Sequence, residues 1–67
     1  MHQLIFNNNI ITLNGIDYAY EQAEKIDDLC VHVFMGGQVI AFMGEDTTIN
    51  GIAMATADDI INTLNNG

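Results

Sequence analysis

The sequence predicts an α+β domain of two layers, an antiparallel sheet of four to five strands with two helices on one face, in the order β-β-α-β-β-(β)-α. Three observations lead there. Two β-rich runs enclose the pair Gly36-Gly37. Ala57, Ile60, Ile61 and Leu64 recur at the spacing of one helix face. At roughly 100° per residue, Ala19, Ala23, Ile26 and Cys30 also gather on one side of a helix.

The first hairpin joins Gln3–Asn7 to Ile10–Leu13 across Asn8-Asn9, because Asn tolerates the positive φ of a tight turn. A two-residue loop pairs Phe6 with Ile11 and Leu4 with Leu13, all on one face. Asn14-Gly15 breaks the second strand. Asp17 then reads as an N-cap and Tyr18–Asp28 as a helix, with Glu21 and Lys25 a favourable pair one turn apart.

The second hairpin runs from Cys30 to Gly44 and pairs Phe34 with Val39, Val33 with Ile40, and Val31 with Phe42. Both of its faces are apolar, the pattern of a central strand pair covered twice. Asn50-Gly51 signals a further short strand or hairpin. Thr56 caps the last helix, Ala57 to about Leu64, and Asp59 completes a capping box.

Length and charge bound the function. The 67 residues make a single domain, residues 1–67, with a thin core. Nine Asp and Glu face a single Lys and no Arg, for a formal charge of −8, while 49% of residues are apolar. The apolar share excludes a disordered acidic tail. One basic residue excludes direct binding to nucleic-acid phosphates and to an anionic membrane surface. One Cys closes no intrachain disulfide, and the first residues have no cationic leader. The expected location is a reducing cytoplasm.

Catalytic chemistry has little material, so the chain is read as non-enzymatic. Cys30 and His32 make a Cys-x-His pair, but a Cys in an apolar strand with no cation beside it is a small hydrophobe. Together with His2 they lack zinc-ligand spacing, and the acidic runs lack a calcium-loop pattern, so no metal or other cofactor is expected. Gly36-Gly37 lies in a hairpin turn without a following helix or Lys, so it cradles no phosphate. Asp58 and Asp59 complement a helix dipole.

The remaining acids ask for another explanation. On a helix, Asp17, Glu21, Glu24 and Asp28 form one stripe about 16 Å long at about 1.5 Å per residue. Like charges one turn apart repel, and Asp27 and Asp28 oppose the dipole at the C-terminus. Folding gains nothing obvious from that layout, which is either the solvated face of an acidic protein, with the helix ending before Asp27, or a binding surface. Extended by Glu45 and Asp46, the stripe imitates a run of phosphates and would dock into a basic groove built for nucleic acid, with the second apolar sheet face as anchor.

In kind the chain resembles the small acidic inhibitors that bacteriophages direct against host nucleic-acid enzymes, among them DNA-mimic and anti-CRISPR proteins. Asp28-Leu29-Cys30-Val31-His32, after acids read as helical, is also similar to the entry into a strand in the phage uracil-DNA glycosylase inhibitors. That resemblance implies an inhibitor acting in the bacterial host cytoplasm. The seven expected contact residues are Asp17, Glu21, Glu24, Asp27, Asp28, Glu45 and Asp46. The expected partner is a basic nucleic-acid-binding protein, reached without contact to nucleic acid or membrane. The alternative is a self-associating module, a homodimer formed through the apolar sheet face that the helices leave open.

Overall fold

Four two-residue turns organise the computed structural model, which describes residues 1–66. Asn8-Asn9, Asn14-Gly15, Gly36-Gly37 and Asn50-Gly51 all have positive φ at both positions, between 52° and 81°. That is the left-handed pair of a type I′ turn, whose twist matches that of the strands it joins. Each turn returns the chain antiparallel to itself.

The strands are β1 (His2–Asn7), β2 (Ile10–Leu13), β3 (Ile16–Lys25), β4 (Cys30–Met35), β5 (Gln38–Met43), β6 (Thr47–Ile49) and β7 (Ile52–Ala53), followed by the helix α1 (Ala57–Asn66). They form one seven-stranded sheet in the order β5-β4-β3-β2-β1-β6-β7. Every pairing is antiparallel except β1 with β6, which is parallel. Two expectations are corrected here. The sheet is mixed and larger than four to five strands, and one α-helix, not two, packs on it.

The missing helix is β3. Residues 18–28 do not wind, and Asp17 caps nothing: it lies within a ten-residue strand that starts at Ile16. Asn14-Gly15 explains this. It is a stronger hairpin signal than Asn8-Asn9, and it sends the chain back along β2, with Leu13 opposite Ile16 and Ile11 opposite Tyr18. Ile16-Asp17-Tyr18-Ala19-Tyr20 also carries branched and aromatic residues at every second place, which suits a strand. An extended backbone spreads the acids at about 3.3 Å per residue, easing the repulsion that a helix would concentrate.

β3 bends midway. Tyr20 faces Met35 while Gln22 faces Phe34, so one extra residue, Glu21, is accommodated in a bulge. The first part of β3 pairs with β2 and the second with β4. The bend curls the sheet until its distant strands meet. A single 3-10 turn, Gly44–Asp46, carries the chain from the end of β5 to the start of β6. There the His2 ring of β1 stands edge-on to the Phe42 ring of β5, with centroids 5.2 Å apart.

The concave side of this curl is the core. Leu4, Phe6, Ile11, Leu13, Val31, Val33, Met35, Phe42 and Ile49 are buried there, closed by Met54 and by Ala57, Ile60 and Leu64 of α1. Both expected hairpins form in the expected register, including Phe6 with Ile11 and Phe34 with Val39. Asn50-Gly51 joins β6 to β7, so the further hairpin forms as well. α1 starts on the expected capping box: Asp59 Oδ2 accepts the N–H groups of Ala55 and Thr56, and Thr56 Oγ1 accepts that of Asp59.

The other correction concerns the β4–β5 hairpin. It is not central and covered twice, since β5 is the first strand of the sheet. Its convex face carries Val39, Ala41 and Met43 in the open, beside half-buried Cys30, His32 and Phe34.

Candidate functional site

Three segments converge at one end of the molecule. The β3–β4 turn, residues 26–29, is shaped by Asp27, whose Oδ1 accepts the N–H groups of Leu29 and Cys30, both at 2.9 Å. Short Asp side chains bond their own backbone two residues on in this way, which is why a tight turn selects one. The 3-10 turn is tied to it, because the Gly44 N–H donates to the Leu29 carbonyl at 2.7 Å. The start of α1 is tied to it too, because the Ala57 N–H donates to the Asp28 carbonyl at 2.9 Å. Gly44 allows the approach: a Cβ there would lie 2.8 Å from the Thr56 backbone.

Each segment brings carboxylates. The turn brings Asp27 and Asp28, the 3-10 turn Glu45 and Asp46, and the helix start Asp58 and Asp59, while Glu24 lies one residue before the end of β3. Lys25, the only Lys or Arg of the protein, reaches across this end, 3.7 Å from Asp28 and 3.3 Å from Asp58. Asp46 lies 3.4 Å from the Met1 amino group. Two positive groups among seven carboxylates leave a strongly negative pole. Exposed Ile26, Leu29 and Met43 lie on the same turns and strand end, so the pole has an apolar margin.

The seven expected residues therefore divide. Asp27, Asp28, Glu45 and Asp46 meet at the pole, with Glu24 beside them on the convex face of β3 opposite His32. Asp28 is open, its side chain 97% exposed. Asp27 is held by its two backbone bonds. Glu21 stands apart at the bulge, its Oε2 accepting the Gly37 N–H at 2.9 Å. Asp17 is farther still, near the β2–β3 turn, its Oδ1 accepting the Thr12 hydroxyl at 2.6 Å. The expected helical stripe does not exist. Its charges are redistributed along a bent strand and gathered at one end by tertiary contacts.

Asp58 and Asp59 belong to the pole although sequence reasoning assigned them to the helix alone. Their spacing from Asp28 along the chain carried no signal of that meeting. Cys30 is unpaired and half-buried, opposite Met43. Among the described residues no three His, Cys, Asp or Glu side chains are arranged to hold a metal ion, and no cavity opens. Among the described residues no helix is long and apolar enough to cross a membrane. Burial pushes the Tyr20 phenol above its ordinary range, against an opposing bond with the Ala23 backbone. Its hydroxyl donates to Asn65 Oδ1 and its ring packs edge-on against Phe6, so it is a structural residue away from the pole.

Comparison with protein-family models, with curated proteins and with solved structures found no match to this chain.

Proposed function

We propose that this protein is a non-enzymatic inhibitor that docks its acidic pole into a basic nucleic-acid-binding site of a partner protein. The observation that carries this reading is the convergence of Asp27, Asp28, Glu45, Asp46, Asp58 and Asp59 from three separate segments, with Lys25 as the sole side-chain counter-charge. Solubility needs dispersed charge, not seven carboxylates at one end. Such a pole steers association with a positive surface, and the rate falls as salt screens it. Ile26, Leu29 and Met43 at its margin supply area that leaves water on docking, which is where affinity resides.

The targets this chemistry suits are nucleases, repair enzymes and CRISPR effectors, whose grooves are lined by Lys and Arg. Self-association through the pole is opposed by like charge, so a basic partner fits it better than a second copy does.

The test neutralises three carboxylates that accept no hydrogen bond among the described residues: Glu24→Gln, Asp28→Asn and Glu45→Gln. The triple variant is expected to keep its fold by circular dichroism and to lose at least tenfold in affinity for a captured basic partner at low salt. Equal affinity in the variant removes the proposal.

A further inference from the structure

β5 is an edge strand with an open side. In a two-residue hairpin the pair that closes the turn, here Met35 and Gln38, exchanges hydrogen bonds, and paired positions then alternate. Val33–Ile40 and Val31–Phe42 are thus the bonded pairs. Val39, Ala41 and Met43 direct their N–H and C=O groups away from β4. The Met43 carbonyl is already used, accepting the Thr47 hydroxyl at 2.7 Å. Those of Val39 and Ala41 bond to nothing among the described residues.

Proteins ordinarily guard such an edge with Lys, Pro, a bulge or a covering segment. β5 reads Gln-Val-Ile-Ala-Phe-Met, with none of the first two, and its pairing to β4 runs without a register shift. Among the described residues no strand pairs with its free side, and Val39 and Met43 are 46% and 41% exposed. An unguarded edge invites a strand. Charge says which kind. The Met43 end of β5 opens directly onto the acidic pole through Gly44, Glu45 and Asp46, while the other end abuts Glu21 at Gly37. A second copy pairing antiparallel would bring its own Glu45 and Asp46 against Glu21, which repels it.

We infer that the free edge of β5 accepts an extended segment of a partner protein as an added antiparallel strand, apolar at alternate positions and basic at the end that lies beside the acidic pole. The inference rests on the docking reading above and names the part of the partner that the sheet takes. Main-chain bonds to Val39 and Ala41 supply binding, and Lys or Arg opposite Glu45 and Asp46 fixes direction.

The probe is the blocked peptide Lys-Lys-Thr-Val-Thr-Val-Thr, whose basic N-terminus falls at the Met43 end in an antiparallel addition. Amide hydrogen exchange of the full chain is followed with and without peptide, for the natural protein and for Ala41→Pro. Proline at that place removes only an outward N–H, so the β4–β5 ladder is kept. The expected result is at least tenfold slower exchange at the Val39 and Ala41 amides on saturation, and about tenfold weaker binding in the proline variant. Exchange at Ile40 and Phe42, slow throughout, confirms that the variant folds.

Three outcomes overturn the edge inference. Peptide binding without protection at Val39, weakened instead by neutralising Glu24, Asp28 and Glu45, places the peptide on the pole and leaves the docking reading standing. Failure to bind removes the edge while the docking reading is judged by its own variant. Concentration-dependent protection of Val39 without peptide, abolished by Ala41→Pro, assigns the edge to a second copy.

Discussion

Asn50 completes the sheet with its side chain. Its Oδ1 accepts the Phe6 N–H at 2.8 Å and its Nδ2 donates to the Phe6 carbonyl at 3.1 Å, so a carboxamide stands where a strand residue would pair with β1. Its own N–H donates to the Leu4 carbonyl at 2.9 Å, and its φ is +54°. Asn50→Gly keeps the turn conformation and deletes both side-chain bonds. At about 0.5–1.5 kcal/mol net for each bond, the expected loss is about 1–3 kcal/mol. Asn50→Ala adds about 1–2 kcal/mol for a Cβ in the left-handed region.

For a domain of this size each 1 kcal/mol lowers Tm by roughly 4–8 °C. Thermal unfolding followed by circular dichroism should therefore place Asn50→Gly about 4–24 °C below the natural protein, and Asn50→Ala lower still. Asn50→Asp adds a sign test. Its carboxylate faces the Phe6 carbonyl, and only the protonated acid can donate there. Its folded-state pKa is expected above the unfolded value of about 3.9, so the stability that this side chain contributes is full below that pH and is lost as pH rises through the folded value. Asn50→Gly melting within 2 °C of the natural protein would refute the assignment of ladder bonds to this side chain.

Three further outcomes follow from the packing. Gly44→Ala drives a Cβ against the Thr56 backbone at 2.8–2.9 Å and should cost about 1–3 kcal/mol, read from the urea midpoint; an unchanged midpoint would show that the 3-10 turn yields freely. Asp59→Ala removes two accepted N–H bonds at the start of α1; it should cost about 0.5–2 kcal/mol and speed amide exchange at Ala55 and Thr56. Tyr20 should titrate above the ordinary tyrosine value near 10 by ultraviolet difference absorbance. Because its folded-state value is raised by burial, its contribution to stability is full below the unfolded value near 10 and fades as pH rises through the folded value; Tyr20→Phe should abolish that raised component.

How far the sequence foretold this molecule depends on where each signal was local. Turn chemistry was local. Asn8-Asn9, Gly36-Gly37 and Asn50-Gly51 specified three hairpins, two of them to the residue pair, and Thr56 with Asp59 specified the helix start. β3 shows two local signals in conflict. Ala19, Ala23 and Ile26 fit a helical face, while Asn14-Gly15 and the alternation through Tyr20 fit a strand, and pairing with both β2 and β4 decided for the strand. Nothing local announced the parallel pairing of β6 with β1, because it depends on the curl that the bulge at Glu21 permits.

The candidate site divides on the same line. That the chain is acidic was plain from its composition, but the seven expected residues were grouped by helical periodicity. Their actual grouping is set by the Gly44-to-Leu29 and Ala57-to-Asp28 backbone bonds. Those contacts joined Asp58 and Asp59 to the pole and left Asp17 and Glu21 away from it. The open edge of β5 was hidden for a related reason: two apolar faces read as a central, doubly covered hairpin, and only the strand order shows that β5 ends the sheet.

The most direct measurement is displacement. With the protein immobilised and a basic partner captured at low salt, duplex DNA or RNA is passed over it in parallel with sodium chloride of equal ionic strength. If the pole occupies a nucleic-acid site, nucleic acid releases the partner where simple salt does not, and the neutralised triple variant binds the partner at least tenfold more weakly. Release by salt and nucleic acid alike, with the triple variant binding as tightly as the natural protein, would contradict it.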